Sequence, residues 1–128
     1  MNGDEIVLTL PADDDFRRVA HLVLGGLAAR IDLTYEHLED LKLALDGLLE
    51  RRGDDGDITL AVRLEEDALA ASVGPFSPEM LHELQEDQPF GLRRILATVC
   101  DGFELSERND GSWVELRKSY ERAEGAPA

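Results

Sequence analysis

Ile58-Thr59-Leu60-Ala61-Val62-Arg63-Leu64 and Leu69-Ala70-Ala71-Ser72-Val73 each carry an apolar side chain at every second position, with Glu65-Glu66-Asp67 between them. Alternation is the period of a strand with one buried face, so this stretch is predicted to be a β-hairpin turning at the acidic triplet. Gly74-Pro75 is predicted to break its second strand. A hairpin is marginal alone in water and needs a cover for its apolar face. The sequence on both sides supplies one. Upstream, Phe16, Val19, Ala20, Val23, Leu24, Leu27 and Ala28 recur at three- and four-residue steps and predict a helix ending near Arg30. Asp13-Asp14-Asp15 gives it an N-cap and a negative first turn, and Gly25-Gly26 within it is read as tolerated. Thr34 caps a second helix with a stripe of Leu38, Leu41, Leu45 and Leu48, ending at Gly53. Downstream, Ser77-Pro78-Glu79 opens a short helix over Met80, Leu81 and Leu84. A polar link from Gln85 to Gln88 and then Pro89 precede a further helical stripe of Leu92, Ile95, Leu96 and Val99, stopped by Gly102.

Strands complete the two ends: Glu5 to Leu10, closed by Pro11, and a pair at Phe103/Leu105 and Trp113 to Arg117 around the turn Arg108-Asn109-Asp110-Gly111. The order is β-α-α-β-β-α-α-β-β, without repeats. It predicts an α+β fold: a single mostly antiparallel sheet with helices packed on one face.

Composition narrows the function classes. A chain of 128 residues, 43% of them hydrophobic, suits one domain, predicted over 1–120 with 121–128 as a disordered tail. With 28 acids against 13 bases the net charge is −15, which repels nucleic acid and anionic lipid. The carboxylates cluster at predicted connections, although a general adaptation to solvent gives a similar surplus. No apolar run approaches the roughly 20 residues of a membrane span, and Met1-Asn2-Gly3-Asp4-Glu5 has no leader pattern. A cytoplasmic protein is expected. The single cysteine, Cys100, excludes an intramolecular disulfide and a thiolate zinc site; beside Leu96 and Val99 it reads as a small buried apolar residue.

Other candidates carry little chemistry. His21, His37 and His82 have no metal-ligand spacing, Asp54-Asp55-Gly56-Asp57 lacks the ligand alternation of a calcium loop and reads as a turn, and Ser72 has no histidine near it in sequence. Trp113 has two readings: an anchor for a partner on an exposed sheet face or edge, or a ring folded against the C-terminal segment.

Three segments together resemble a known family. They are Tyr35-Glu36-His37-Leu38-Glu39-Asp40-Leu41-Lys42-Leu43-Ala44-Leu45-Asp46, Leu69-Ala70-Ala71-Ser72-Val73-Gly74-Pro75-Phe76-Ser77-Pro78-Glu79, and Phe90-Gly91-Leu92-Arg93-Arg94-Ile95-Leu96. In this order, over roughly residues 5–119, the chain is similar to the Bergerat-fold ATPases of the histidine-kinase-like superfamily, and within it to the bacterial anti-sigma factor type of serine kinase. The resemblance implies a histidine-kinase-like sandwich, ATP and magnesium as cofactors, and a sigma factor or an anti-sigma antagonist protein as partner, with a homodimer left open.

It also implies a site. The family's second helix bears a glutamate as general base and, four residues on, an asparagine that helps to hold magnesium. The matching positions are Asp46, as general base, and Glu50, as metal and cofactor ligand. Gly74 falls in the first glycine loop and Gly91 in the second, while Arg93 and Arg94 stand where a helix start favours phosphate. The pattern is eroded. Asp46 is shorter by a methylene, and Glu50 adds a charge. The adenine-reading aspartate falls on Ala71 or Ser72, and Pro89-Phe90-Gly91 replaces two glycines flanking one residue. Three functions therefore compete: a protein-binding anti-sigma-like regulator of bacterial transcription with a degenerate, inactive ATP site; an active serine kinase acting on an anti-sigma antagonist; and a binding module that uses the same cavity for another ligand.

Overall fold

The computed structural model describes residues 5–11, 13–31, 33–52, 56–85 and 91–119. Asp54-Asp55, Pro89-Phe90 and the tail expected over 121–128 lie outside them. The elements are β1 (Glu5–Pro11), α1 (Asp14–Arg30), α2 (Tyr35–Arg52), β2 (Asp57–Leu64), β3 (Ala68–Phe76), α3 (Pro78–Gln85), α4 (Leu92–Val99), β4 (Gly102–Arg108) and β5 (Gly111–Ser119). The expected order holds throughout.

All five strands form one antiparallel sheet in the order β1-β2-β3-β5-β4. Alternation sends Ile58, Leu60, Val62 and Leu64 of β2, Leu69, Ala71 and Val73 of β3, and Val114 and Leu116 of β5 to one face. There they meet Phe16, Ala20, Leu24 and Leu27 of α1, Leu41, Ala44, Leu45 and Leu48 of α2, and Leu96 and Val99 of α4. The fold is α+β, a single sheet with its helices on one face, as the histidine-kinase-like sandwich requires. No helix is long and apolar enough to cross a membrane.

The helix starts follow the sequence. The Asp13 carboxylate accepts from the backbone N–H groups of Asp15 at 3.0 Å and Phe16 at 3.2 Å, and Thr34 Oγ1 accepts from His37 N–H at 3.2 Å. These bonds satisfy donors that a helix start otherwise leaves open. The hairpin turn closes through Glu65 N–H on the Ala68 carbonyl at 2.8 Å.

Two expectations are corrected. Gly74-Pro75 does not end β3, which runs to Phe76 through a register shift between Val73 and Phe76; the Gly74-Pro75 peptide is cis. A proline within a sheet is accommodated at such an irregularity, where no ladder N–H is required of it. Trp113, in turn, is not an exposed anchor, and the C-terminal residues 120–128 lie outside the described residues. It is 7% exposed and lies on the helix-free face against Gly74. Its Nε1–H donates to Asp110 Oδ1 at 2.9 Å, and the Arg108 guanidinium sits 4.2 Å from the ring centroid. The 108–111 turn thus folds around the indole, with Gly111 at φ 140° supplying a conformation that side chains disfavour.

Glycines therefore differ in what they do. A Cβ on Gly26, inside α1, would meet nothing within 4 Å, whereas one on Gly74 would lie 2.5 Å from Trp113 Cδ2. We expect Gly26→Ala to raise unfolding free energy by about 0.5–1 kcal/mol through loss of unfolded-state entropy. Gly74→Ala should lower it by about 1–3 kcal/mol through overpacking. Urea titration followed by Trp113 fluorescence checks both signs, and the Gly74 variant should also shift the native emission.

Candidate functional site

The rotation of α2 about its axis determines which side chains reach a site. This helix lies between α1 and α4 and packs on both. On one side, Lys118 reaches up from β5 and donates to Asp40 Oδ2 at 3.1 Å and to the Val99 carbonyl, at the end of α4, at 2.8 Å. Asp40 thereby marks the side of α2 turned toward α4. Gly47 is seven residues on, about two turns, so it shares that side; Ala44 and Gly47 are both buried. On the other side, Asp46 Oδ1 pairs with His21 Nε2 of α1 at 2.9 Å. Glu50, one turn beyond Asp46, is exposed. The spacing of four does keep Asp46 and Glu50 together, but on the side of α1 and solvent.

The remaining expected residues are scattered. Ala71 faces the helices and is buried, while Ser72 is on the opposite face, between Ala61 and Glu115. Gly74 also belongs to that opposite face, beneath Trp113. Gly91 caps α4 in an extended conformation, φ −78°, and its carbonyl accepts from Arg94 and Ile95 N–H, both at 3.1 Å. Arg93 and Arg94 are exposed on the first turn of α4. Arg93 Nη1 donates to the Gln85 carbonyl at the end of α3, at 3.4 Å, tying the two short helices together. A cleft of about 540 Å³ opens between α3, α4 and β4, lined by Leu84, Arg93, Cys100, Phe103 and Leu105 among others. Of the expected site residues, Arg93 alone lines it. Among the described residues no three histidine, cysteine or acidic side chains gather as a metal site.

No protein-family model matches the chain. The serine-protein kinase RsbW of Listeria monocytogenes serotype 4a is 35% identical over 77 residues, 55% of this chain and 49% of that protein. The chain thus spans about half the length of that relative. Longer matches run to proteins of the same name from Oceanobacillus iheyensis, 28% identical with 78% of each chain covered, and Bacillus subtilis, 28% identical with 91% of this chain and 86% of that one covered. Over most of its length the chain is similar to serine-protein kinases of the RsbW type.

Three features of this chain are not carried by any motif. Lys118 continues the inward alternation of Val114 and Leu116, so its buried position is written in the strand period, and an acidic partner was needed to hold it there. The His21–Asp46 pair joins residues 25 apart on two helices, and only the packing brings them together. Trp113 over Gly74 depends on the bulge in β3. Cys100, expected as a buried apolar residue, is 6% exposed.

Burial raises the Cys100 thiol from an ordinary 9.0 to about 11, against a smaller opposing pull from the Lys118 ammonium. In the unfolded chain the thiol ionises first, so its contribution to stability is full below about pH 9 and is lost as pH rises through 11. Unfolding free energy should fall by on the order of 1–3 kcal/mol more across this window in the native sequence than in Cys100→Ala. Urea titrations at stepped pH check the difference in slope.

Proposed function

We propose that this RsbW-type chain is a cytoplasmic regulator of the anti-sigma type that acts by binding a protein partner, and that its sandwich no longer puts ATP to catalytic use. The rotation of α2 carries the reading. A general base and a magnesium ligand would have to project from the side of α2 that faces α4. On that side stand Asp40, already paired with Lys118, then Ala44 and Gly47, while the acidic pair Asp46 and Glu50 is turned toward α1 and solvent. The helix-facing residue where an adenine amine needs an acceptor is Ala71, a methyl group. Gly74 serves the packing of Trp113. The described residues therefore do not fit a magnesium-bound triphosphate, and no step through it is derived.

Contact with a partner needs none of these groups. The net charge of −15 suits a basic surface, such as the DNA-contacting face of a sigma factor, and masking that face is a sufficient mechanism of inhibition. Complementary charge speeds encounter and orients it, with a range set by a Debye length of about 8–10 Å near physiological salt. An antagonist protein that competes for the same contacts would release the sigma factor without phosphoryl transfer.

Calorimetric titration with Mg-ATP tests the nucleotide half of this proposal. No saturable binding tighter than about 100 μM is expected, since each missing polar contact costs roughly 1–3 kcal/mol. Tight saturable binding together with phosphate transfer to a serine of an antagonist domain would establish the active kinase instead. Retention of a sigma factor, weakening steeply between about 0.05 and 0.3 M salt, tests the other half. Failure to retain any sigma factor in dilute buffer removes the regulatory reading.

A further inference from the structure

β4 ends the sheet, and no described strand pairs with its outer edge. Its backbone groups on that side form a template for another strand. Two of its side chains, Phe103 and Leu105, face the helices and are only half-buried. They line the cleft of about 540 Å³ whose other walls include Leu84 of α3 and Ala97 of α4. The space lies where the helix-facing side chains of a sixth strand would fall. Between Phe103 and Leu105, Glu104 points to the helix-free face and is exposed. Its cross-strand neighbour is Glu115, whose nearest cation, Arg63, is 3.7 Å away and is held mainly by Glu65 at 3.0 Å. Two like charges directly opposite each other destabilise a sheet, and no ion pair relieves Glu104 among the described residues.

We infer that the β4 edge accepts an extended segment of another protein as an added strand, with apolar and basic residues in alternation. Apolar side chains of the guest enter the cleft beside Phe103 and Leu105. A lysine or arginine between them comes opposite Glu104 and neutralises the Glu104–Glu115 pair. Charge sets the phase of the alternation from the helix-free face, where Glu104 and Glu115 favour a cation, whereas in the cleft Arg93 offsets Asp101 and the walls beside them are apolar. Main-chain hydrogen bonds along the edge supply affinity, and the alternate side chains supply selectivity. A second copy of this chain is a poor guest, since each copy carries a charge of −15 and a strand with the same acids. The inference does not rest on the fate of the nucleotide site or on the identity of a sigma factor.

The test uses the full chain and a capped peptide as long as β4, 7 residues, alternating leucine or valine with lysine. Backbone NMR should show shifts centred on 102–108, and amide exchange in β4 should slow. Glu104→Lys, a change on an exposed side chain, should weaken binding by about tenfold, and a peptide with glutamate in place of lysine should recover it on that variant. A copy with N-methylated backbone should not bind. No binding, equal affinity for a peptide of the same composition with its alternation scrambled, shifts centred on β1 or α2, or pairing of β4 with itself in the absence of peptide would each overturn the assignment.

Discussion

Lys118 has its ammonium between α2 and the end of α4, held by the Asp40 carboxylate and the Val99 carbonyl. A partly buried lysine is stable only where its donors are matched, and this one is matched from two helices at once. The contact fixes the height of α2 above the sheet and, more consequentially, its rotation. Once Asp40 faces Lys118, the helical period leaves no freedom: Ala44 and Gly47 must follow on the same side, and Asp46 must turn toward α1. His21 meets it there at 2.9 Å. Two polar contacts on opposite flanks thus clamp one helix in one orientation. Which side chains can reach a site beside α2 depends on that orientation.

The other face of the sheet has its own organising contact. The Trp113 indole needs a residue without a side chain beneath it, and Gly74 provides one. The 108–111 turn then closes on the ring with Arg108 above it and Asp110 on its N–H. A Cβ on Gly111 would come within 2.9 Å of Pro75, so both glycines and the irregular end of β3 answer to a single packed cluster. Gly74 resembles a nucleotide-loop glycine in sequence. In three dimensions it is part of a tryptophan seat on the face away from the helices.

Much of the fold was legible because periodicity reports burial directly. Ile58 to Leu64 and Leu69 to Val73 alternate, and the leucine stripe of α2 repeats at helical steps, so the sheet, the helices and their order all follow. Asp13 and Thr34 were legible as caps for the same local reason. Beyond this, local signals ran out. Gly74-Pro75 signals a break, yet the ladder continues past it because β5 pairs with Phe76 after a register shift. A spacing of four says that Asp46 and Glu50 share a face but not which neighbour that face meets; the contact with His21, 25 residues away, decides it. Trp113 had two readings from its flanking charges, and neither could name Gly74 as its neighbour, because the two are remote in sequence.

Similarity to serine-protein kinases and the proposed loss of nucleotide chemistry are compatible because folding and nucleotide chemistry draw on different residues. Leu41, Leu45 and Leu48 flank Gly47 and Asp46 in sequence and are each at most 2% exposed. Their burial, worth roughly 1.5–3 kcal/mol per side chain, does not depend on whether a carboxylate stands between them. A polar residue that reaches into a cleft is usually a cost to folding, and its replacement by glycine or alanine removes a ligand contact while leaving the core whole. On the proposed function, the sandwich persists as a rigid carrier of surface without a pocket that selects for adenine. On such a carrier what remains to be recognised is charge, the exposed strand edge and the helix faces, and all three are features read by proteins rather than by nucleotides.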